Sequence, residues 1–190
     1  MLVIVPVYAV EHGWLNFLWF SNLALLGGLV AVWLENRRIA SMMLVAVLLP
    51  ELVWVLDFVA SIVVWGSAPL GIVQYLFDPG ERLFVRLLSL YHVPLPFVLL
   101  WLVARLGYDP RAWQFTLLFG WGVLLLTFSF ATPEKNVNWI LGPWGEVQQW
   151  VPAWAWLGGV MAFLALVWVM THLLARYLFL RHRGPGAAKR

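Results

Sequence analysis

Residues 83–104 read LFVRLLSLYHVPLPFVLLWLVA, an apolar run long enough to cross a hydrocarbon core as a helix, broken by Arg86, Ser89 and His92 and followed at once by Pro94 and Pro96. An ionisable side chain inside a membrane turns to the bundle interior or a water-filled cavity and marks a functional site by default. This stretch therefore decides the class of the fold and supplies the first candidate residues.

The rest of the chain repeats the pattern. Of 190 residues, 63% are hydrophobic and 11% charged, which is outside the range of a water-soluble globular domain. Further spans are expected at 14–34, which stops at Glu35, Asn36, Arg37 and Arg38; at 39–65, which carries Pro50, Glu51 and Asp57; at 112–131; and at 153–179. The first ten residues are apolar but too short to cross and are expected at the interface. Residues 66–82 and 132–152 form polar connections, and 181–190 a basic tail. No internal repeat or second domain is visible. The expectation is an all-α, polytopic membrane bundle of about five transmembrane helices in a single domain, 1–180.

Nine basic residues (Arg37, Arg38, Arg105, Arg111, Arg176, Arg181, Arg183, Lys189 and Arg190) fall on one side of such a bundle. Arg82 and Lys135 flank the other, with Arg86 just inside it. The positive-inside rule then puts the N-terminus outside, the C-terminus in the cytoplasm and both long connections outside. Trp14, Trp65, Trp144, Trp150, Trp154 and Trp156 are expected as an outer interfacial belt. The net charge of +3 is spread over helix ends, which excludes nucleic acid as a partner and leaves membrane lipids or a larger membrane complex. With no cysteine there are no disulfides, thiolate nucleophiles or Cys-bound metals.

Counting helical rise inward from the outer ends of the spans puts Asn22, Asp57 and His92 at one depth, ~12–14 Å, with Glu51 at ~20 Å. Ser21 accompanies Asn22. Arg86, Ser89 and His92 step by three, as do Glu51, Trp54 and Asp57, so each triplet makes a slanted polar strip on its helix. The two strips are expected to face one another, with the first span closing the side. Pro94, Pro96 and Pro50 withhold donors from the carbonyls of Leu90, His92 and Ala46, which must find other partners.

The chain has no Gly-x-Ser-x-Gly elbow, His-Glu-x-x-His helix, Walker loop or dinucleotide fingerprint. His92 and His172 fall toward opposite faces and do not suit a haem, and no other cofactor is specified. A histidine, two carboxyls and several hydroxyl and amide groups suit acid–base catalysis on a lipid ester or amide, or a hard metal held by Glu51, Asp57 and His92. In the catalytic reading His92 is the general base, Asp57 its orienting partner, Ser21 a nucleophile, and Asn22 or Asn138 an oxyanion donor. Glu51 is the deeper carboxyl of the set. Arg86 is expected to snorkel to the interface or to pair with Glu81 or Asp57, and Arg86, Ser89, Trp54, Asn136 and Asn138 to line the site beneath the 132–152 connection. The alternative is a non-enzymatic subunit, or a lipid- or pigment-binding accessory protein, whose polar residues hold helices together.

The runs LPELVWVLDF, FDP, LSLYHVPLP, LGYDPR and PEKNVNWILGP resemble a bacterial family of membrane-associated proteins of unknown function. That resemblance covers most of the chain and implies a multi-pass protein of the bacterial cytoplasmic membrane. Two shorter runs are similar to the androgen-induced family of membrane hydrolases, which cleave fatty-acid esters of hydroxy fatty acids with an intramembrane Thr and His. In the first, Leu18, Trp19, Phe20, Ser21 and Asn22 match a Leu-Thr-Phe-x-Asn type segment, with Trp19 at the threonine position. In the second, His92 precedes Leu95, Pro96 and Phe97, one residue short of the family spacing. The similarity implies lipid-ester hydrolysis with His92 in the histidine role.

Overall fold

The computed structural model describes residues 1–64 and 67–180; Trp65, His182 and the basic tail lie outside them. The described residues form helices joined by 3-10 turns and loops, with no strand. The α-helices are α1 (Ile4–Glu11), α2 (Phe20–Trp33), α3 (Arg37–Val63), α4 (Leu83–Leu88), α5 (Pro94–Leu106), α6 (Ala112–Phe130) and α7 (Ala153–Leu180). Four segments are long and apolar enough to cross a membrane: α3, α6, α7 and the continuous run Leu83–Leu106 that joins α4 to α5.

The first expected span differs from a single helix. It divides at Trp19, whose backbone is extended, into a 3-10 turn, Trp14–Leu18, and the 14-residue α2. Asn138 accounts for the break. Its Nδ2 donates to the Leu18 carbonyl at 2.8 Å and its Oδ1 accepts from the Phe20 N–H at 3.3 Å, so one side-chain amide replaces helix bonds on both sides of Trp19.

Helix α3 is the hub, packed against α2, α5, α6 and α7. It starts where Asn36 accepts from the N–H groups of Arg38 and Ile39, an N-cap. Inside a membrane, helices gain little from the hydrophobic effect and associate through close packing and interhelical hydrogen bonds. Both are present here. A β-carbon at Gly27 would overlap Met43, so glycine lets α2 approach α3, and Gly120 of α6 makes the same room for the Trp168 ring. Thr116 of α6 donates to the Met42 carbonyl at 3.2 Å.

Two of the carbonyls freed by proline have found partners. Pro50 leaves the Ala46 carbonyl without its helical donor, and the indole N–H of the fully buried Trp168 on α7 supplies one at 3.1 Å. Pro94 withholds a donor from Leu90, and the chain tightens into a 3-10 turn, Ser89–His92, in which the Val93 N–H reaches the Leu90 carbonyl at 3.0 Å. The third span is therefore α-helical at both ends and 3-10 at His92.

Candidate functional site

His92 lies on this 3-10 turn, facing α3. Its Nδ1 is 2.7 Å from Oε2 of Glu51, whose side chain is only 4% exposed. The imidazole stacks on Trp54 (ring centroids 4.6 Å apart, planes 17° apart) and on Tyr91 (4.3 Å, 23°). An ionised carboxylate can only accept, so with Glu51 charged the Nδ1–H donates and Nε2 keeps its lone pair. Nε2 has no protein partner among the described residues.

The pairing corrects the expected depth match. Asp57, not Glu51, was to orient His92, but Asp57 turns to the loop after α3. Its Oδ1 accepts from the Leu70 N–H at 2.8 Å, and its Oδ2 from those of Ile72 and Val73 at 2.9 and 3.1 Å. The loop thus folds back inward to the level of Asp57, and the third span starts deeper than α3 ends. Counting rise from helix ends assumes that the ends share a plane. Here they do not, so His92 meets the carboxyl one and a half turns further in. The expected metal set is corrected for the same reason: among the described residues no three His, Asp or Glu side chains gather to hold an ion.

The other expected residues fall into two groups. Asn22, Ser21, Trp54 and Ser89 surround the pair. Asn22 Oδ1 accepts from the Tyr91 hydroxyl at 2.8 Å, while its Nδ2 donates to the Asn16 carbonyl at 2.8 Å, so Asn22 positions the ring that stacks on His92. Ser21 lies against the same Tyr91 hydroxyl and is not bonded to His92. Ser89 shares a 3.1 Å hydrogen bond with the Tyr8 hydroxyl of α1.

Asn136 and Asn138 belong elsewhere. Asn136 Nδ2 donates to the carbonyls of Gly142 and Glu146, and its Oδ1 accepts from the Leu141 N–H, which folds the connection between α6 and α7 on itself. Asn138 braces Trp19 and does not face His92 as an oxyanion donor would. Arg86 bonds neither Glu81 nor Asp57; its Nη1 donates to the Leu76 carbonyl at 2.9 Å. The Trp144 indole donates to the Leu70 carbonyl at 2.9 Å and so ties the two long polar connections together.

A second polar cluster sits around His172, at the end of the bundle where the Arg38 and Arg111 turns meet. The Tyr108 hydroxyl and His172 Nδ1 are 2.6 Å apart. Beside them Arg38 pairs with Asp109 at 3.2 Å, and the Asp109 N–H donates to Ser41 Oγ. Burial alone would raise the Asp109 carboxyl, but the Arg111 N–H and the Arg38 guanidinium outweigh it and hold the pKa below its ordinary 3.8.

Sequence reasoning missed Tyr8, Tyr91 and Trp168. Tyr91 adjoins His92 and so carried a signal of its own. Tyr8 and Trp168 act through contacts 81 and 122 residues away, which no local pattern encodes. No family model, curated protein or solved structure matches the chain.

Proposed function

We propose that this chain is a membrane enzyme whose acid–base centre, His92 oriented by Glu51, cleaves an acyl ester or amide of a membrane lipid. The observation that carries the reading is the buried Glu51–His92 pair, stacked between aromatic rings at a helix break and left with an unpartnered Nε2. A carboxylate on Nδ1 fixes the tautomer and stabilises the imidazolium that forms. In that mechanism Nε2 takes a proton from water as the water oxygen bonds to the acyl carbon. The same proton then passes to the leaving oxygen or nitrogen as its bond to that carbon breaks. Ser21 makes no hydrogen bond to His92, so activated water fits this arrangement better than a serine nucleophile does.

The topology that goes with this reading has five passages, the N-terminus outside and the C-terminus in the cytoplasm of a bacterial cell, in the cytoplasmic membrane. The turn Trp14–Leu18 and α2 together rise roughly 30 Å, at ~2.0 and ~1.5 Å per residue, which equals the hydrocarbon thickness of about 30 Å. The Arg38–Asp109 pair keeps two basic turns at one end, as the positive-inside rule requires.

Purified protein in mixed micelles, offered a panel of diacyl lipids, monoacyl esters and N-acyl amides, is expected to release free fatty acid. His92→Ala is expected to reduce release by about 10²- to 10⁴-fold. Undiminished release by His92→Ala rejects the mechanism.

One group of observations favours a second reading, a non-enzymatic subunit of a larger membrane complex. Asp57, Asn136 and Asn138 all spend their polar atoms on backbone groups of this chain, as internal glue would. Isolation in mild detergent distinguishes the two: a stoichiometric partner supports the subunit reading, and a lone active protein rejects it.

A further inference from the structure

Arg86 lies one turn inside the outer end of the third span, and its guanidinium is left short of partners. It carries five N–H donors. Nη1 reaches the Leu76 carbonyl, while Nε is enclosed by protein and has no acceptor. No carboxylate meets it either: the ion pairs among the described residues are Arg38–Asp109, Arg82–Glu11 and His92–Glu51. The two acids expected to neutralise it are elsewhere, Asp57 on loop N–H groups and Glu81 on the exposed surface. Arg82, four residues earlier and exposed, closes on Glu11 at 2.7 Å, so a counter-ion is supplied where water already screens the charge and withheld where it does not.

A cation in an apolar setting is costly without an opposite charge, and a guanidinium does not escape the cost by losing its proton. None of the described carboxylates supplies that charge, which leaves an anion from outside the chain to do so. We propose that Arg86 binds the anionic headgroup of a membrane lipid at the outer mouth of the bundle. A phosphate or carboxylate group accepts two parallel N–H bonds from a guanidinium, the geometry for which arginine is suited. The next turn of the same strip carries Ser89, whose buried hydroxyl is shared with Tyr8. His92 follows roughly 10 Å further in, counting three residues of α-helix and three of 3-10 helix. The inference deepens the acid–base reading by naming an anionic lipid as the class of molecule presented to His92, and it rests on that reading for the chemistry alone.

The test reads binding, so loss of catalysis leaves it unaffected and its failure leaves the His92 assignment standing. Protein in mild detergent is exchanged against equimolar phosphatidylglycerol and phosphatidylcholine, and the bound lipid is read by native mass spectrometry. Wild-type protein and Arg82→Gln are expected to prefer phosphatidylglycerol by about tenfold, roughly 1.4 kcal/mol, and Arg86→Gln to show no preference. Free oleate in place of phosphatidylglycerol separates a carboxylate from a phosphate ligand, either of which fits. Equal preference in wild type and Arg86→Gln overturns the proposal, as does displacement of the lipid by inorganic phosphate, which would assign the site to a soluble anion. A measurement on the unaltered chain guards against misfolding of the variant: a photoreactive phosphatidylglycerol is expected to label the segment Leu83–Leu88, and labelling confined to other segments contradicts the inference.

Discussion

Glu51 and Asp57 sit six residues apart on α3, and their surroundings give them opposite duties. Asp57 accepts three backbone N–H bonds in a site 1% exposed, so it holds the loop after α3 in place. Removing it strands three donors. Asp57→Ala is expected to cost about 3 kcal/mol of stability, read as a lowered unfolding midpoint in detergent, with fatty-acid release per folded molecule preserved. Glu51 instead meets one imidazole. Glu51→Gln keeps the volume and is expected to leave the fold intact while lowering turnover about 10²- to 10⁴-fold, because a neutral amide does not stabilise the imidazolium and can donate to Nδ1 as well as accept from it. Near the N-terminal end of α3, Asp109 titrates with its pKa depressed by Arg111 and Arg38. Its contribution to stability is therefore complete above the unfolded value of 3.8 and is lost as pH falls through the lower folded value. The melting-point gap between wild type and Asp109→Asn at neutral pH is expected to close as pH falls from 3.8 through the lower folded value.

At the level of helices, prolines decide where polar contacts form. Pro50 opens the Ala46 carbonyl, and Trp168 of α7 closes it across the bundle. Trp168→Phe is expected to destabilise the protein by about 1–2 kcal/mol. In a Pro50→Ala background, where residue 50 can again donate to Ala46, the same change should cost less; equal costs in a double-mutant cycle would show that the indole bond does not serve the freed carbonyl. Much of this level was legible in the sequence. Pro94 and Pro96, just after His92, showed that the Leu90 and His92 carbonyls must find other partners, and the Leu90 carbonyl finds one in the Ser89–His92 turn. The division of residues 14–34 was not legible, because Asn138, which causes it, lies 118 residues from Phe20. The Glu51 partnership was half legible: phase put Glu51 on the right strip, while depth failed because the loop held by Asp57 dips inward.

Across the whole molecule, polar groups gather in two clusters around α3, one at its N-terminal end and one at mid-helix. One joins Tyr108, His172, Asp109 and Arg38, and braces the end that carries the basic turns. The other joins Glu51, His92, Tyr91 and Asn22, and carries the proposed chemistry. Composition was enough to read the all-helical membrane class, since apolar segments of this length have few other stable arrangements. The proposed function depends on which nitrogen of His92 is free. Nitrogen-15 NMR of the histidine-labelled protein in nanodiscs, compared with His92→Ala for assignment, tests that point directly. The acid–base account predicts a protonated Nδ1, bonded to Glu51, and a bare Nε2 at neutral pH, with that pattern lost in Glu51→Gln. A proton fixed on Nε2, with Nδ1 accepting from a protonated Glu51, would contradict it.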